Sequence, residues 1–204
     1  YLPLMLIGVE KILEKKSPAL FIAMVCLSAV NNFYFFYIIG CNVIVYVLIR
    51  LFTRYGLRRW KKLVGNLMKI AGYAVTGACL AGVMLIPVLN LLSRTARISR
   101  KSGIELFYEG DFYKNLPVLF FTSTPTLPHH TAMVFSFVAF FCLLLLFMDR
   151  KKHLELKAAF LTLTAVACLP LMGKIFHGFA YSSNRWMFGY VLLVACIVSV
   201  EWRT

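Results

Sequence analysis

The stretch PALFIAMVCLSAVNNFYFFYIIGCNVIVYVLIR, Pro18 to Arg50, decides how the chain reads. It runs for over thirty residues without a charge before Arg50. A single straight helix of that length, at about 1.5 Å per residue, would far overshoot the ~30 Å hydrocarbon core of a bilayer. It is broken once by an adjacent polar pair, Asn31-Asn32, and two adjacent amides are poor mid-membrane residues because buried amides need partners. The stretch is therefore expected to form a short span over 18–30 and a second over 33–50, with the asparagines at the turn.

The same pattern continues outward from this pair. Before it, Tyr1–Val9 is an apolar run ending in Glu10-Lys-Ile-Leu-Glu-Lys-Lys16. After it come Arg50, Arg54, Arg58, Arg59, Lys61, Lys62 and Lys69, then an apolar stretch over 70–92 interrupted late by Pro87. A polar segment, 93–131, leads to the apolar run Ala132–Met148, which Asp149-Arg-Lys-Lys152 closes. Two further spans are expected over 157–175 and 186–200. The fold class is all-α: a polytopic transmembrane helix bundle with about six full spans and one truncated span, as a single transmembrane domain over 1–204.

Composition agrees. Hydrophobic residues make up 61% of the 204 and charged residues 15%, too few charges to cover a soluble fold of that apolarity and the reverse of a disordered chain. The net charge of +14 does not indicate nucleic acid, because the basic residues punctuate apolar runs. Of the 22 Lys and Arg, 15 fall on one side of the expected topology and 7 on the other. The positive-inside rule places the richer side, with the basic loops 50–69 and 149–157, in the cytoplasm. The Asn31-Asn32 turn, the 93–131 segment and the 176–185 loop then face outward. The six cysteines each lie in an apolar run, and none forms a CxxC pair, so they read as packing residues. Tyr1 starts within an apolar run with no basic region before it, as expected of an internal part of a longer protein.

Polar groups cluster on the outward side. Arg94, Arg97 and Arg100 share a face if helical, suited either to clamping a phosphate or to lying among lipid headgroups. Glu109 and Asp111 flank Gly110, and either solvation or a role as base or metal ligand fits them. His129 and His130 are adjacent and diverge, so a metal between them is the less natural use. The stretch from Lys174 to Phe188 sets His177, Asn184 and Arg185 in an aromatic belt, which suits both membrane anchoring and an anionic headgroup. Asn31, Asn32, Tyr34 and Tyr37 give two amides and two phenols at the same depth, with helix capping the plainer use. No HExxH, GxSxG or glycine-rich phosphate loop is present.

Four motifs carry a family resemblance: Leu2-Pro-Leu-Met-Leu-Ile-Gly8 before a lysine-rich turn; Asn31-Asn32-Phe-Tyr34 closing a short span; Leu85-Ile-Pro-Val-Leu89 followed by Ser93-Arg94; and His177-Gly-Phe with Asn184-Arg-Trp-Met-Phe188. Over nearly all 204 residues the chain resembles the middle of a YfhO-type bacterial membrane protein. The resemblance implies a GT-C-like polytopic glycosyltransferase of the bacterial cytoplasmic membrane. Such an enzyme draws sugar from a polyprenyl-phosphate carrier and decorates teichoic acid or a similar envelope polymer on the outer face. It implies a catalytic carboxylate, with a divalent cation as an option, in an outward loop upstream of Tyr1. Asn31 or Asn32, Tyr34, Arg94, His177 and Arg185 match positions of the family pattern, with Asn184 beside them. The 93–131 segment departs from that pattern, which leaves acceptor choice open. Two other classes stand beside this one: a transporter or flippase for a lipid-linked precursor, and a non-catalytic membrane assembly subunit.

Overall fold

The computed structural model describes residues 1–94, 107–121, 135–148, 153–179 and 183–202. Helices and turns make up the described residues, with no strand among them. The chain divides into two compact units, Tyr1–Arg97 and Ile98–Thr204.

The first unit contains α1 (Leu2–Leu13), α2 (Ala19–Asn31), α3 (Phe33–Tyr55), α4 (Trp60–Leu80) and α5 (Gly82–Arg94). The long apolar stretch does divide at the asparagines. Asn32 takes an extended backbone (φ −160°, ψ 111°) that ends α2 and caps α3. A helix leaves its first N–H groups unbonded, and the Asn32 side chain accepts from those of Tyr34 (3.0 Å) and Phe35 (3.2 Å). At the other end α3 stops at Gly56, whose φ of +60° favours glycine. A 3-10 turn, Leu57–Arg59, then leads into α4.

Two boundaries differ from the sequence expectation here. The basic stretch 50–69 is not a loop: Arg50 and Arg54 continue α3, and Lys61, Lys62 and Lys69 lie in α4. Lysine and arginine are good helix formers whose apolar stems lie along a helix. Hydropathy therefore marks where lipid begins, not where the helix does. The 70–92 run is also two helices, parted at Ala81, while Pro87 lies inside α5. Pro87 removes one backbone bond from α5 without ending it.

Two glycines set how closely α2 is packed. A Cβ at Gly8 of α1 would come within 2.9 Å of the Phe21 Cα, and one at Gly77 of α4 within 2.8 Å of the Ile22 carbonyl. Backbone-to-backbone approach through small residues is how helices associate where lipid offers no hydrophobic contrast. The α1–α3 contact is polar instead. Glu10, beyond the apolar run of α1, accepts from Arg50 Nε (2.8 Å), Arg50 Nη2 (3.0 Å) and Tyr46 Oη (2.6 Å). Burial alone would raise the Glu10 carboxyl. The bonds from Arg50 and Tyr46, with the fields of Arg50 and Arg54, outweigh it and hold the group below its usual value.

Helices α3, of 23 residues, and α4, of 21, are long and apolar enough to cross a membrane. Much of their apolar surface faces outward, including Ile44, Met68 and Val75, and on α5 Val83 is 84% exposed. Water would penalise such contiguous apolar exposure, whereas lipid does not.

The second unit contains α6 (Gly110–Asn115), α7 (Phe137–Met148), α8 (Leu154–Ala167), α9 (Pro170–Ile175) and α10 (Phe188–Glu201). Leu143 and Leu146 of α7 meet Ile197 of α10, with Phe160 of α8 packed against them. The expected span 157–175 is broken: Leu169 is extended (φ −112°, ψ 115°) between α8 and α9. Pro170 is the reason, because its ring pushes the preceding residue out of the helical region and supplies no N–H. The 149–157 stretch is likewise helical from Leu154, and Lys157 is buried rather than solvated.

Candidate functional site

The break at Pro170 frees a backbone carbonyl, and the second unit builds a polar cluster around it. The hydroxyl of Tyr113 in α6 donates to the Cys168 carbonyl at 2.9 Å and accepts from the Tyr108 N–H at 3.1 Å. The Tyr108 hydroxyl in turn donates to Asn184 Oδ1 at 3.2 Å. Two phenols thus tie the α8–α9 break, the start of α6 and the turn before α10 together. Their rings pack with Phe112, whose centroid lies 4.1 Å from that of Tyr108.

The turn itself is built by reversal. Gly178 and Phe179 both have φ above +60°, and the Phe179 N–H closes back on the Lys174 carbonyl at 2.8 Å. Ser183 and Asn184 precede a 3-10 turn, Arg185–Met187, that leads into α10. Asn184 is 1% exposed and Ser183 2%. The Ser183 hydroxyl has no hydrogen-bond partner among the described residues. Trp186 is fully buried and packs on Phe176 at 4.6 Å between centroids. Arg185, between these buried residues, is exposed and pairs with no acidic side chain among the described residues. His177 is half-buried and Lys174 is buried.

Of the residues singled out in the sequence, His177, Asn184 and Arg185 thus belong to the second unit, between α9 and α10. Asn31, Asn32, Tyr34 and Arg94 belong to the first unit. There Asn31 and Asn32 are exposed, with Asn32 occupied as a cap, and Tyr34 is half-buried with its ring 5.3 Å from Phe35. Arg94 is exposed at the end of α5. Glu109 precedes α6 without capping it, and Asp111 pairs with Lys114 at 3.1 Å in solvent. Arg97, Arg100, Lys101, Glu105, His129 and His130 lie outside the described residues, as do Arg150, Lys151 and Lys152.

Sequence reasoning passed over Tyr108, Tyr113 and Ser183. The signal was the aromatic density of Phe107-Tyr-Glu-Gly-Asp-Phe-Tyr113, which is typical of a membrane–water boundary. The acids Glu109 and Asp111 are the charged groups of that segment, but its phenols make the contacts.

The family model described as "Bacterial membrane protein YfhO" matches residues 1–203. The chain belongs to the YfhO family. It is 28% identical over 199 residues to "Uncharacterized protein YfhO" of Bacillus subtilis (strain 168), an alignment covering 94% of this chain. The chain spans about a fifth of that relative, 21% of its length. No solved structure matches it. It is an all-α member of a membrane protein family, and its two longest apolar helices, α3 and α4, fit that setting.

Proposed function

We propose that this chain is part of a GT-C-like, multi-pass glycosyltransferase of the bacterial cytoplasmic membrane. It moves sugar from a polyprenyl-phosphate carrier to a hydroxyl of an envelope polymer such as teichoic acid, on the outer face. The observation that carries this reading is the turn before α10. An exposed Arg185, which pairs with no acidic side chain among the described residues, adjoins a buried amide, Asn184, a buried hydroxyl, Ser183, and the Trp186–Phe176 pair. Hydrogen-bonding groups set among aromatic faces suit a sugar, and a guanidinium suits the phosphate that carries it.

In the step itself the acceptor oxygen bonds to the anomeric carbon while the bond from that carbon to the carrier phosphate oxygen breaks. The electron pair stays on the phosphate, which gains negative charge that Arg185 stabilises. The acceptor hydroxyl proton passes to a carboxylate base, assigned to another part of the longer protein. A divalent cation finds no ligand set here: no three His, Cys, Asp or Glu side chains converge among the described residues.

Lys174 is the observation that favours translocation instead, since a buried lysine in a membrane protein can mark a transport path. One assay separates the two: the full-length protein with radiolabelled polyprenyl-phosphate sugar and polymer acceptor. Arg185→Ala is expected to lower transfer by at least about 100-fold, with membrane insertion intact and partial recovery in Arg185→Lys. Unchanged transfer in Arg185→Ala removes the residue from the site. Carrier movement with no new glycosidic bond replaces the enzyme by the flippase, and neither activity leaves a non-catalytic assembly subunit.

A further inference from the structure

The first unit contains an apolar cleft that the proposed reaction does not use. Helix α4 packs chiefly on α2 rather than on α3, to which the short turn Gly56–Arg59 joins it. Between α3 and α4 lies a cavity of about 320 Å³, lined from Phe36 to Val47 on one side and from Leu67 to Val75 on the other. Met5, Phe21 and Val25 form its floor, and every lining residue is apolar. Gly40 lines it too, and a Cβ built there would meet no atom within 4 Å. The volume is at the lower end of ordinary ligand pockets, enough for a segment of hydrocarbon chain.

The turn that joins the two walls is strongly cationic. Arg58, Arg59, Lys61 and Lys62 are all exposed, and none pairs with an acidic side chain among the described residues. The two acids of the first ninety-four residues are engaged elsewhere, Glu10 by Arg50 and Glu14 by Lys16. Val47 precedes Gly56 by nine residues, about 13 Å of helix, and Leu67 follows Lys62 by five, about 8 Å. A headgroup on the turn therefore sends its chain along the helices and into the cleft with its distal part.

We infer that this cleft and turn form a binding site for an anionic glycerophospholipid, one acyl chain between α3 and α4 and the phosphate on the Arg58–Lys62 cations. Charge complementarity selects the occupant: an apolar slot whose two walls are joined by a basic turn matches an amphiphile with a negative head. A zwitterionic lipid fits the slot and not the turn. The site uses residues of the first unit, whereas the proposed sugar chemistry uses residues of the second.

The test uses the protein in bilayer discs of equal phosphatidylglycerol and phosphatidylcholine. After extraction into detergent, the lipid retained per chain is counted by mass spectrometry. Wild type is expected to retain phosphatidylglycerol over phosphatidylcholine by at least about tenfold. Gly40→Phe, which points into open space and replaces glycine by a better helix former, is expected to release it with helix content unchanged. Should that variant unfold, Ala71→Leu fills the same cleft from α4 and is expected to act alike. Replacing Arg58, Arg59, Lys61 and Lys62 by glutamine should bring the two lipids to equal retention. Equal retention in wild type, or full retention with the cleft filled, overturns the site. So does a photoreactive residue at Ile44 that cross-links to protein instead of lipid, which would make the cleft a helix-docking surface.

Discussion

The turn before α3 and the turn before α10 each place an asparagine shortly ahead of an aromatic residue and a helix, yet their amides are used in opposite ways. Asn32 is exposed and spends its side-chain oxygen on the N–H groups of Tyr34 and Phe35, two and three residues on. Asn184 is buried and accepts from Tyr108, a phenol 76 residues earlier in the chain. The first amide serves its own helix. The second fixes a distant segment over a turn that carries an exposed arginine. An asparagine that closes a local bond is spoken for by the backbone, whereas one buried against a remote partner organises a site. For that reason the turn before α10, and not the turn before α3, carries the functional reading.

Breaking the buried contact should have the larger effect. Asn184→Ala leaves the Tyr108 hydroxyl, in a residue 6% exposed, without its acceptor and opens space beside it. The expected loss is about 1–3 kcal/mol of stability, read as a lower thermal midpoint in detergent. Tyr108→Phe removes the donor with little change of shape and should cost less. A double-mutant cycle between the two should show coupling of at least about 0.5 kcal/mol. Additive losses would mean that the 3.2 Å bond holds nothing together, and the comparison between the turns would fail.

What the sequence reveals follows the same division between local and distant. The split at Asn31-Asn32 is legible because the side-chain bond spans two or three residues and the apolar run is too long for one crossing. The last helix is legible as well, α10 covering Phe188–Glu201 against an expected 186–200. Helix α4 starts at Trp60 rather than 70 because hydropathy reports the surrounding medium while helix propensity governs the backbone. The α8–α9 break was legible in principle, since Pro170 stands in plain view inside an apolar run. The phenolic tie, the Glu10–Arg50 pair at a separation of 40 residues and the glycine contacts of α2 depend on which helices meet. Spacing along the chain is silent about that.

The Glu10–Arg50 pair lies between these extremes, distant in sequence but only half-buried. Glu10→Gln keeps the shape and removes the charge, and about 1–2 kcal/mol is expected to be lost, between a surface pair and a buried charged bond. Its pH dependence has a definite sign. The folded carboxyl titrates below its usual value of 4.5. The stabilisation is therefore fully present above that value and disappears as pH falls through the lowered one. Unfolding midpoints of wild type and Glu10→Gln should converge on acidification. If they stay parallel down through that range, the carboxylate is not what joins α1 to α3.

The smallest effects belong to the exposed turn, where two neighbours of one type provide the control. Asn32→Ala removes the side-chain acceptor from two N–H groups that then turn to water, at a cost of about 0.5–1 kcal/mol for an exposed cap. Asn32→Asp keeps the oxygen and adds a negative charge at the positive end of α3, so it should restore or exceed wild-type stability. Asn31 is the last residue of α2 and equally exposed, but its side chain caps no helix. Asn31→Ala is expected to stay within about 0.5 kcal/mol of wild type. Chemical denaturation of the three variants side by side reads the difference. Equal losses at 31 and 32 would mean that both amides answer to something beyond their own helix ends. The outward turn before α3 would then regain a claim to the site that its local geometry now denies it.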